Sequence, residues 1–355
     1  MPQLSNDWPW TAAKLLLVAA AVVTAMLLAW QLANVLLLLF GAILVAVLLK
    51  AVAGPVERFT PLSERWSVAI ACLIVGGVLV GFFTLMGTQI QTQAKTLVEG
   101  LPDLLEALEQ RFGISGLRAW LEEQLADVLR DGEIAVSVAT YATTFASILA
   151  HVLIVIASGI YLATRPRAYA QGLKRLFPEQ RQSEARDTIG TIGDALKLWL
   201  LGQLVAMVLV GVLTTLGLWL LGIQSAMALG FLAGLLEFVP FVGPALAAVP
   251  AIALGLSESP TTGLWVLGLY ILVQQVEGNL ITPLVQQRAV DLPPVVTIFA
   301  ILSFGVLFGT LGVLLATPLA VVCLVLVKKH WMRDVLHERV DVPGEDDNAS
   351  GEAAH

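Results

Sequence analysis

The strongest constraint on the fold of this chain is a set of long segments that contain no charged residue. The segments without any Asp, Glu, Lys or Arg are 15–49, 66–94, 134–164, 198–236, 238–257, 259–276 and 292–327. A membrane-spanning helix needs about 20 consecutive apolar residues. Only 13% of all residues are charged, whereas soluble domains average about 25%. We therefore predict an all-α, polytopic integral membrane protein whose surrounding medium is the lipid bilayer.

The first charge-free segment, 15–49, is too long for one simple span. As a single helix it would measure roughly 52 Å at 1.5 Å per residue, against a hydrocarbon core of about 30 Å. Polar Gln31 and Asn34 fall near its middle, so we predict two spans joined by a tight turn at 31–34. The apolar run is longer than that of a signal peptide, and we interpret it as an anchor that stays in the membrane. The next predicted spans are 67–89, 139–163 and 198–221.

Four regions are predicted along the chain. Residues 1–89 contain the first three spans and 138–330 form a transport core. Between them, leucines recur at helical spacing with acidic residues among them, so 90–137 is predicted to be an extracytoplasmic amphipathic helical insert. The insert has either a packing or oligomer-contact role or a pore-lining role. The end of the chain, 331–355, is rich in Gly, Pro and Asp and is predicted to be an acidic, disordered cytoplasmic tail.

Loop charges predict the orientation of the chain. Segment 164–197 contains seven Lys and Arg residues and 50–65 contains three, while 90–137 contains four against nine acidic residues. Because basic loops stay on the cytoplasmic side, the first two segments are predicted inside and the third outside. The N-terminus is then inside, and Lys328 and Lys329 place the C-terminus inside as well.

Two apolar segments, 223–256 and 292–327, are interrupted by residues that break helices. The positions predicted to act as hinges are Pro240, Gly243, Pro244, Pro250, Pro283, Gly305, Gly309, Gly312, Thr317 and Pro318. Of these, Pro283 lies between the two segments. Proline removes a backbone donor and clashes with the preceding turn, so the first helix must open at 238–244. Each segment is predicted to form either a broken span or a re-entrant hairpin. The positive-inside rule favours hairpins because they place Arg288 inside.

Glu237 is the most informative residue of the first broken segment. Ionisable residues inside a membrane are costly and usually face a bundle interior or a wet cavity. We predict that Glu237 binds a proton, a cation or a polar solute. The alternative is that this carboxylate lies at the membrane interface.

A second group of polar side chains follows the next apolar run. Gln275 and Asn279 are four residues apart and share one helix face, while Gln274 and Glu277 share the adjacent face. Amides supply both hydrogen-bond donors and acceptors, which suits a polar ligand or an ion. Gln203, in the fifth predicted span, is a further candidate for the same cavity. The alternative is an interfacial helix end whose polar residues are solvated.

Sequence motifs for enzymes and ATP-driven motors are missing. The chain contains no G-x-x-x-x-G-K-[ST], no H-E-x-x-H and no G-x-S-x-G, each of which carries a specific chemistry. We therefore expect no enzymatic activity, no cofactor and no metal site. Nothing in the charge pattern indicates nucleic-acid binding.

The stretches GLLEFVPFVGPALAAVPA, QQVEGNLITPLV and FGTLGVLLATPLA, with LKLWLLGQL before them, are similar to the signature segments of the autoinducer-2 exporter family, the PerM-like permeases. The resemblance implies a bacterial inner-membrane protein with about eight membrane segments, secondary transport and homo-oligomers. It implies export of autoinducer-2 for some members and Na⁺(Li⁺,K⁺)/H⁺ antiport for others. The residues that match family positions are Glu237, Pro240, Gly243, Pro244, Glu277, Asn279, Pro283, Gly309, Gly312 and Pro318.

The sequence therefore predicts a secondary transporter that exports a small solute, an autoinducer-2-like signalling molecule or a related metabolite, by alternating access with H⁺ or Na⁺ coupling. One alternative is a Na⁺(Li⁺,K⁺)/H⁺ antiporter. A further alternative is a non-transporting membrane scaffold or regulator, whose working part would be the insert 90–137.

Overall fold

A computed structural model describes residues 8–60, 63, 65–78, 80–81, 84, 133–223, 225–281, 292–338 and 340–345. Within these ranges the regular secondary structure is entirely helical, as the sequence predicts. The α-helices are α1 (Trp8–Gln31), α2 (Ala33–Phe59), α3 (Arg65–Val78), α4 (Glu133–Thr164), α5 (Pro166–Lys174), α6 (Gln182–Leu220), α7 (Ala226–Leu236), α8 (Val242–Glu258), α9 (Pro260–Val276) and α10 (Pro294–Leu326). The predicted insert 90–137 lies outside the described residues, apart from the first residues of α4.

The predicted tight turn at 31–34 is wrong. Only Leu32 separates α1 from α2, and helical hydrogen bonds run across it, from the Leu32 amide to the Leu28 carbonyl and from the Leu36 amide to the Leu32 carbonyl. Gln31 and Asn34 therefore interrupt the apolar surface without reversing the chain, because an amide side chain does not by itself open a helix. The predicted inside position of the N-terminus depended on that turn, and it stays a prediction.

Helices α2, α3 and α4 form the first packed group. Their buried contact consists of the side chains Leu49, Ala53, Val68, Ala71 and Ala163. Gly159 lets α4 approach α2 closely, since a Cβ there would lie 2.6 Å from the Val45 side chain. At the end of α4 the chain bends by 90° into α5.

Helix α6 is the longest in the described chain, and its apolar part packs against α7 through glycines. A Cβ on Gly211 would lie 3.2 Å from the Gly230 carbonyl oxygen, and one on Gly234 would lie 2.5 Å from the Met207 carbonyl oxygen. Residues that come later on α7 therefore face residues that come earlier on α6, so the two helices run antiparallel. The small-xxx-small spacing of Gly230 and Gly234 permits this close approach.

The predicted break in 223–256 is present between α7 and α8. Helix α7 ends at Leu236, Phe241 has a φ of 66°, and α8 begins at Val242. Helices α8 and α9 then form an antiparallel pair around Ser259, because Gly255 approaches Gly263 closely. The Ser259 hydroxyl accepts a hydrogen bond of 3.0 Å from the Thr262 amide and caps α9.

The second predicted break occurs inside α10 at Gly309, whose φ of 64° and ψ of −145° are not helical. A Cβ on Gly312 would overlap the Phe304 carbonyl, and one on Gly305 would lie 2.9 Å from the Val313 side chain. Residues eight apart in a straight helix are separated by roughly 12 Å. The chain therefore folds back on itself at Gly309.

By length and composition, three helical segments of the described chain could cross a membrane: Ala33–Phe59, Glu179–Leu220 and Pro294–Arg333. A fourth is added if Leu149–Thr164 and Pro166–Lys174 are taken as one bent span. The described chain also contains shorter apolar helices, among them α3, α7 and α8. The chain is thus a multi-pass membrane protein, and the predicted total of about eight membrane segments stays a prediction.

The prediction of a disordered tail over 331–355 is wrong for its described part. Val342 is buried in the same apolar cluster as Leu196 and Val325. The Arg333 guanidinium donates hydrogen bonds of 3.0 and 2.9 Å to the two carboxylate oxygens of Glu345. The buried Val342 side chain, the ion pairs of Glu345 with Arg333 and Lys329, and the hydrogen bond from Lys328 to the Asp341 carbonyl hold this segment. Its composition nevertheless resembles that of disordered chains.

Candidate functional site

The candidate site is centred on Glu237, at the point where α7 ends. Only 2% of this residue is exposed. Its Oε2 atom is buried and has no hydrogen-bond partner among the residues that the structure describes. Native structures contain few buried polar atoms without partners, and each one calls for a physical explanation. A bound proton, cation or polar solute would supply the missing interaction.

Gln203 of α6 lies directly beside this break. Its Nε2 atom donates a hydrogen bond of 2.6 Å to the backbone carbonyl oxygen of Glu237. The last carbonyls of a helix have no partners within the helix, and an unsatisfied carbonyl at membrane depth costs several kcal/mol. Gln203 therefore belongs to the predicted site, and its contact in this structure is with the opened backbone.

Glu277 is the second carboxylate of the site. It begins a short π-helix, Glu277–Ile281, that continues α9, and π-helical turns occur often at functional sites. Its Oε2 atom accepts a hydrogen bond of 2.7 Å from Nε2 of Gln274, as the three-residue spacing predicts. Glu277 lies close enough to Glu237 for the two carboxylates to interact electrostatically. The two acidic groups, which come from different elements, therefore influence each other near the break.

Gln275 and Asn279 form a separate pair on the adjacent face. The Asn279 amide donates hydrogen bonds of 2.9 Å to the Gln275 backbone oxygen and 3.0 Å to its side-chain oxygen. Both residues are exposed in the single chain, so the structure separates them from buried Glu237. Gln275 and Asn279 share a helix face, as predicted. The structure does not bring all six predicted polar residues into one cavity: Glu237, Gln203, Gln274, Gln275, Glu277 and Asn279.

The two broken segments contact the same apolar cluster through aromatic residues next to each break. Phe238 packs edge-to-face against Trp199 with ring centroids 5.8 Å apart. Phe308 lies 6.3 Å from Trp30 between centroids. Phe238 and Phe308 both border the cluster that contains Leu196 and Leu315. The two breaks are therefore joined through one packed core.

The remaining hinge positions are distributed as follows. Pro250 lies inside α8 and Pro318 inside α10. Gly243 is buried where a Cβ would overlap the Leu236 carbonyl, which explains why this position suits glycine next to Pro240 and Pro244. Thr317, like Pro318, is buried in the core of α10. Pro283 lies outside the described residues.

Sequence reasoning missed two further buried hydroxyl groups. Thr214 Oγ1 and Tyr270 Oη are buried without a hydrogen-bond partner among the described residues. They belong to α6 and α9, the helices that supply Gln203 and lead into Glu277. A lone threonine or tyrosine in an apolar run gives no distinctive sequence signal, because either is common as a packing residue.

Sequence reasoning also missed a charged cluster near the start of α6. Lys329 is 2% exposed, and its Nζ atom lies 2.7 Å from Asp187 Oδ2, 2.8 Å from Thr191 Oγ1 and 3.2 Å from Glu345 Oε1. The lysine and Asp187 are separated by 142 positions in the sequence. No local spacing pattern connects residues that far apart.

One group of side chains in the described part of the chain has donor atoms close enough for a metal ion. The donor atoms of Glu184, His330 and Asp334 lie within 4.8 Å of one another. His330 Nδ1 is 3.4 Å from the Glu184 carboxylate and 3.2 Å from the Asp334 carboxylate. Pairing of the imidazole with these carboxylates accounts for the grouping, and we assign no metal to it.

Comparison with known proteins finds relatives that are named as transport proteins or permeases. The chain is 24% identical over 300 residues to "Putative transport protein YueF" of Bacillus subtilis, covering 79% of this chain and 81% of that protein. It is 26% identical over 333 residues to "Putative transport protein MT0215" of Mycobacterium tuberculosis, covering 88% and 86%. It is 24% identical over 301 residues to "Putative permease PerM" of Escherichia coli, covering 79% and 84%.

The family model described as AI-2E family transporter matches residues 17–331. That range includes both breaks, Gln203 and Glu277, and it confirms the resemblance found in the signature segments. The chain therefore belongs to the AI-2E transporter family of membrane proteins.

Proposed function

We propose that this protein is a secondary transporter that moves a small polar solute across the bacterial inner membrane by alternating access, and that Glu237 is its central coupling residue. The observation that carries the proposal is the buried carboxylate of Glu237, whose Oε2 atom lacks a hydrogen-bond partner among the described residues. A buried carboxylate is stable only when it is neutralised or paired. A site that alternately takes up and releases a proton or cation at Glu237 meets this requirement.

The charge pattern around Glu237 supports ion coupling. The flanking segments 198–236, 238–257 and 259–276 contain no Lys or Arg, so none of these segments brings a basic side chain to the carboxylate. Glu277 adds a second negative group within electrostatic range. Like charges in a shared, water-poor site disfavour each other, and binding of H⁺ or a metal cation relieves that repulsion.

The backbone around both breaks supports the re-entrant hairpin over the simple broken span. Helix α7 runs antiparallel to α6, and α9 follows α8 after the close Gly255–Gly263 approach. Leu269 of α9 contacts Gly217 of α6, while Glu277 lies near Glu237 at the other end of that interface. Helix α9 therefore runs antiparallel to α6, so α8 runs back along α7.

The fold-back at Gly309 supplies the second hairpin of this scheme. Glycine-interrupted apolar segments in two parts of a chain are a pointer to the substrate site of a transporter, and irregular backbone at membrane depth is tolerated where it lines a cavity. The aromatic residues Phe238 and Phe308 border one shared core. A rigid-body shift of either hairpin against that core would open the Glu237 site to one side at a time.

The solute that we propose is an autoinducer-2-like signalling molecule or a related small metabolite. Support comes from the family to which the chain belongs and from the amide groups beside the carboxylates. Gln274 and Gln203 place donors next to Glu277 and the opened backbone, and amides recognise polar solutes through paired donors and acceptors. The homo-oligomer is a further part of the proposal and rests on the family resemblance.

The second candidate function is Na⁺(Li⁺,K⁺)/H⁺ antiport. The electrostatic interaction of the two carboxylates favours it, because carboxylate oxygens bind either a proton or a hard cation. The scaffold alternative depends on the insert 90–137, outside the described residues. Deleting 95–133 would abolish a scaffold function, whereas a transport core would retain part of its activity.

The test uses everted membrane vesicles, a pH-sensitive dye and pulses of Na⁺, Li⁺ and K⁺. We expect Glu237→Gln to abolish the cation-dependent pH response, because the amide has the shape of the carboxyl group but neither binds a proton at ordinary pH nor carries a charge. Glu258→Gln is the matched control, since it makes the same change at an exposed position at the end of α8. Equal membrane expression is verified for each variant.

The outcomes separate the two candidate functions. A response that is lost in Glu237→Gln and kept in Glu258→Gln would assign antiport with Glu237 in the coupling site. Vesicles that respond no more than empty-vector vesicles would exclude antiport, and efflux of autoinducer-2 from cells would then be measured with the same variants. Full efflux by Glu237→Gln would remove this residue from the mechanism.

A further inference from the structure

Helix α5 lies across the end of a membrane helix and has the features of an interfacial helix. It follows α4 after a bend of 90°, and every residue from Pro166 to Leu173 is exposed. The large apolar side chains exposed in and just after α5 are Tyr169, Leu173, Leu176 and Phe177. The basic side chains of this stretch are Arg167, Lys174 and Arg175. A short helix with one apolar and one cationic face lies in the headgroup region of a bilayer.

A cavity of about 460 Å³ lies between α5 and the start of α6. Four of its lining residues are cationic: Arg167, Lys174, Arg175 and Arg186. Gln171 and Gln182 also face it, and the lining contains no acidic residue. Among the described residues, no ion pair neutralises any of the four cations.

Membrane orientation alone does not explain why these four cationic side chains lie together in one cavity. The positive-inside rule asks only that segment 164–197 be basic, and this segment contains seven Lys and Arg residues. Four of the seven line one cavity. Like charges brought together repel one another, so an arrangement of this kind is stabilised by an anion.

We propose that this cavity binds the phosphate group of an anionic membrane lipid. Arginine matches phosphate oxygens with a planar pair of donors, and lysine adds a compact charge. Basic pockets beside membrane helices bind anionic headgroups. A soluble phosphate has the same anionic chemistry. The lipid is favoured because Tyr169, Leu173 and Phe177 expose apolar surface next to the cavity, where acyl chains would lie.

The experiment measures lipid binding by the purified full-length chain in neutral detergent. Native mass spectrometry records retention of phosphatidylglycerol and of phosphatidylcholine with identical acyl chains. The test variant is Arg167→Gln with Arg186→Gln. The matched control is Arg58→Gln with Arg65→Gln, which removes two exposed arginines from the other segment that is predicted to be cytoplasmic.

We expect the wild-type chain to retain phosphatidylglycerol in preference to phosphatidylcholine. Each Lys or Arg near an anionic headgroup contributes about fivefold in affinity, so the test variant should bind phosphatidylglycerol about 30-fold more weakly. The control variant should bind it as the wild type does. Thermal unfolding without lipid verifies that both variants fold.

Two results would overturn the proposal. Equal weakening in both double variants would show that total charge, not the cavity, attracts the lipid. Inorganic phosphate that occupies the wild-type cavity at millimolar concentration and is lost only in the test variant, without any preference for phosphatidylglycerol, would assign the cavity to a soluble phosphate. Lipid binding is measured without transport, so either result leaves the proposed transport function untouched.

Discussion

Lys328 and Lys329 are neighbours in the sequence with very different surroundings. The Nζ atom of Lys329 is buried among Asp187, Thr191 and Glu345. Lys328 makes one hydrogen bond of 3.1 Å, to the Asp341 backbone carbonyl, at an exposed position. A buried lysine is stable only when its charge and donors are fully matched. For these two lysines, the surroundings of the side chain, and not its type, determine how much it contributes to the stability of the fold.

We predict that Lys329→Ala lowers the free energy of unfolding by about 2–3 kcal/mol, because it removes charge-assisted hydrogen bonds from a buried cluster. Lys328→Ala should cost less than about 1 kcal/mol, as expected for an exposed contact. Thermal unfolding of both variants in the same detergent provides the measurement. Equal losses of stability would contradict the role assigned to the cluster.

The polar residues of the site show which contacts a sequence can predict. The pairs Gln274–Glu277 and Gln275–Asn279 are local, so helical spacing predicted that each pair shares a helix face, and the structure adds a hydrogen bond within each pair. The contact of Gln203 with the Glu237 backbone and the cluster around Lys329 join distant parts of the chain. Such contacts depend on how helices pack, and no single apolar run carries that information.

Among the elements, the two breaks are built differently. The first uses Pro240, Pro244 and a positive φ at Phe241. The second uses Gly309, with a φ of 64° and a ψ of −145°, in a region of backbone space that is essentially restricted to glycine. The fold-back after Gly309 also requires Gly312, which approaches the Phe304 carbonyl.

Gly309→Ala should therefore destabilise the protein by about 1–3 kcal/mol, the cost of forcing a side chain into this conformation. Gly268→Ala is the matched control, because Gly268 lies inside α9 and a Cβ there would meet no atom within 4 Å. That control should be neutral or stabilising by up to about 1 kcal/mol. Unfolding curves that shift equally for the two variants would argue against the assigned backbone role of Gly309.

Element prediction succeeded where proline and glycine define a break and failed where polarity alone was used. Prolines and glycines placed the opening after Glu237 and the interruption of 292–327, because they restrict or release the backbone directly. Gln31 and Asn34 suggested a turn that the continuous hydrogen bonds around Leu32 exclude. The tail was misjudged because its composition conceals one anchoring valine, Val342, and one anchoring carboxylate, Glu345.

At the scale of the whole molecule, the hairpin arrangement makes a prediction about sidedness. If α7 and α8 enter and leave the membrane on one side, the turn between α8 and α9 is extracytoplasmic, whereas a single broken span would place it in the cytoplasm. Segment 164–197 is predicted inside in both cases. Ser257 is exposed next to the turn between α8 and α9, and Ser183 is exposed in segment 164–197. A cysteine at either position can therefore report the side of the membrane on which it lies.

We expect Ser257→Cys to react with a membrane-impermeant maleimide in intact cells, and Ser183→Cys to react only after the membrane is opened. Both are made in a chain whose two native cysteines, Cys72 and Cys323, are replaced by alanine. Labelling of Ser257→Cys only in opened cells would favour the single broken span.

The packing of Val342 and Glu345 against α6 also has a consequence for the synthesis of the chain. Asp187 leaves the ribosome early, whereas Glu345 is added close to the C-terminus. At about 5–20 residues per second, Asp187 waits on the order of ten seconds before Glu345 is made. Throughout that interval the start of α6 lacks its final cover, so a nascent or prematurely terminated chain exposes the apolar surface that Val342 later occupies. The packing of Val342 is thus a late step of assembly, and a chain that is interrupted before it presents a hydrophobic surface to membrane proteases.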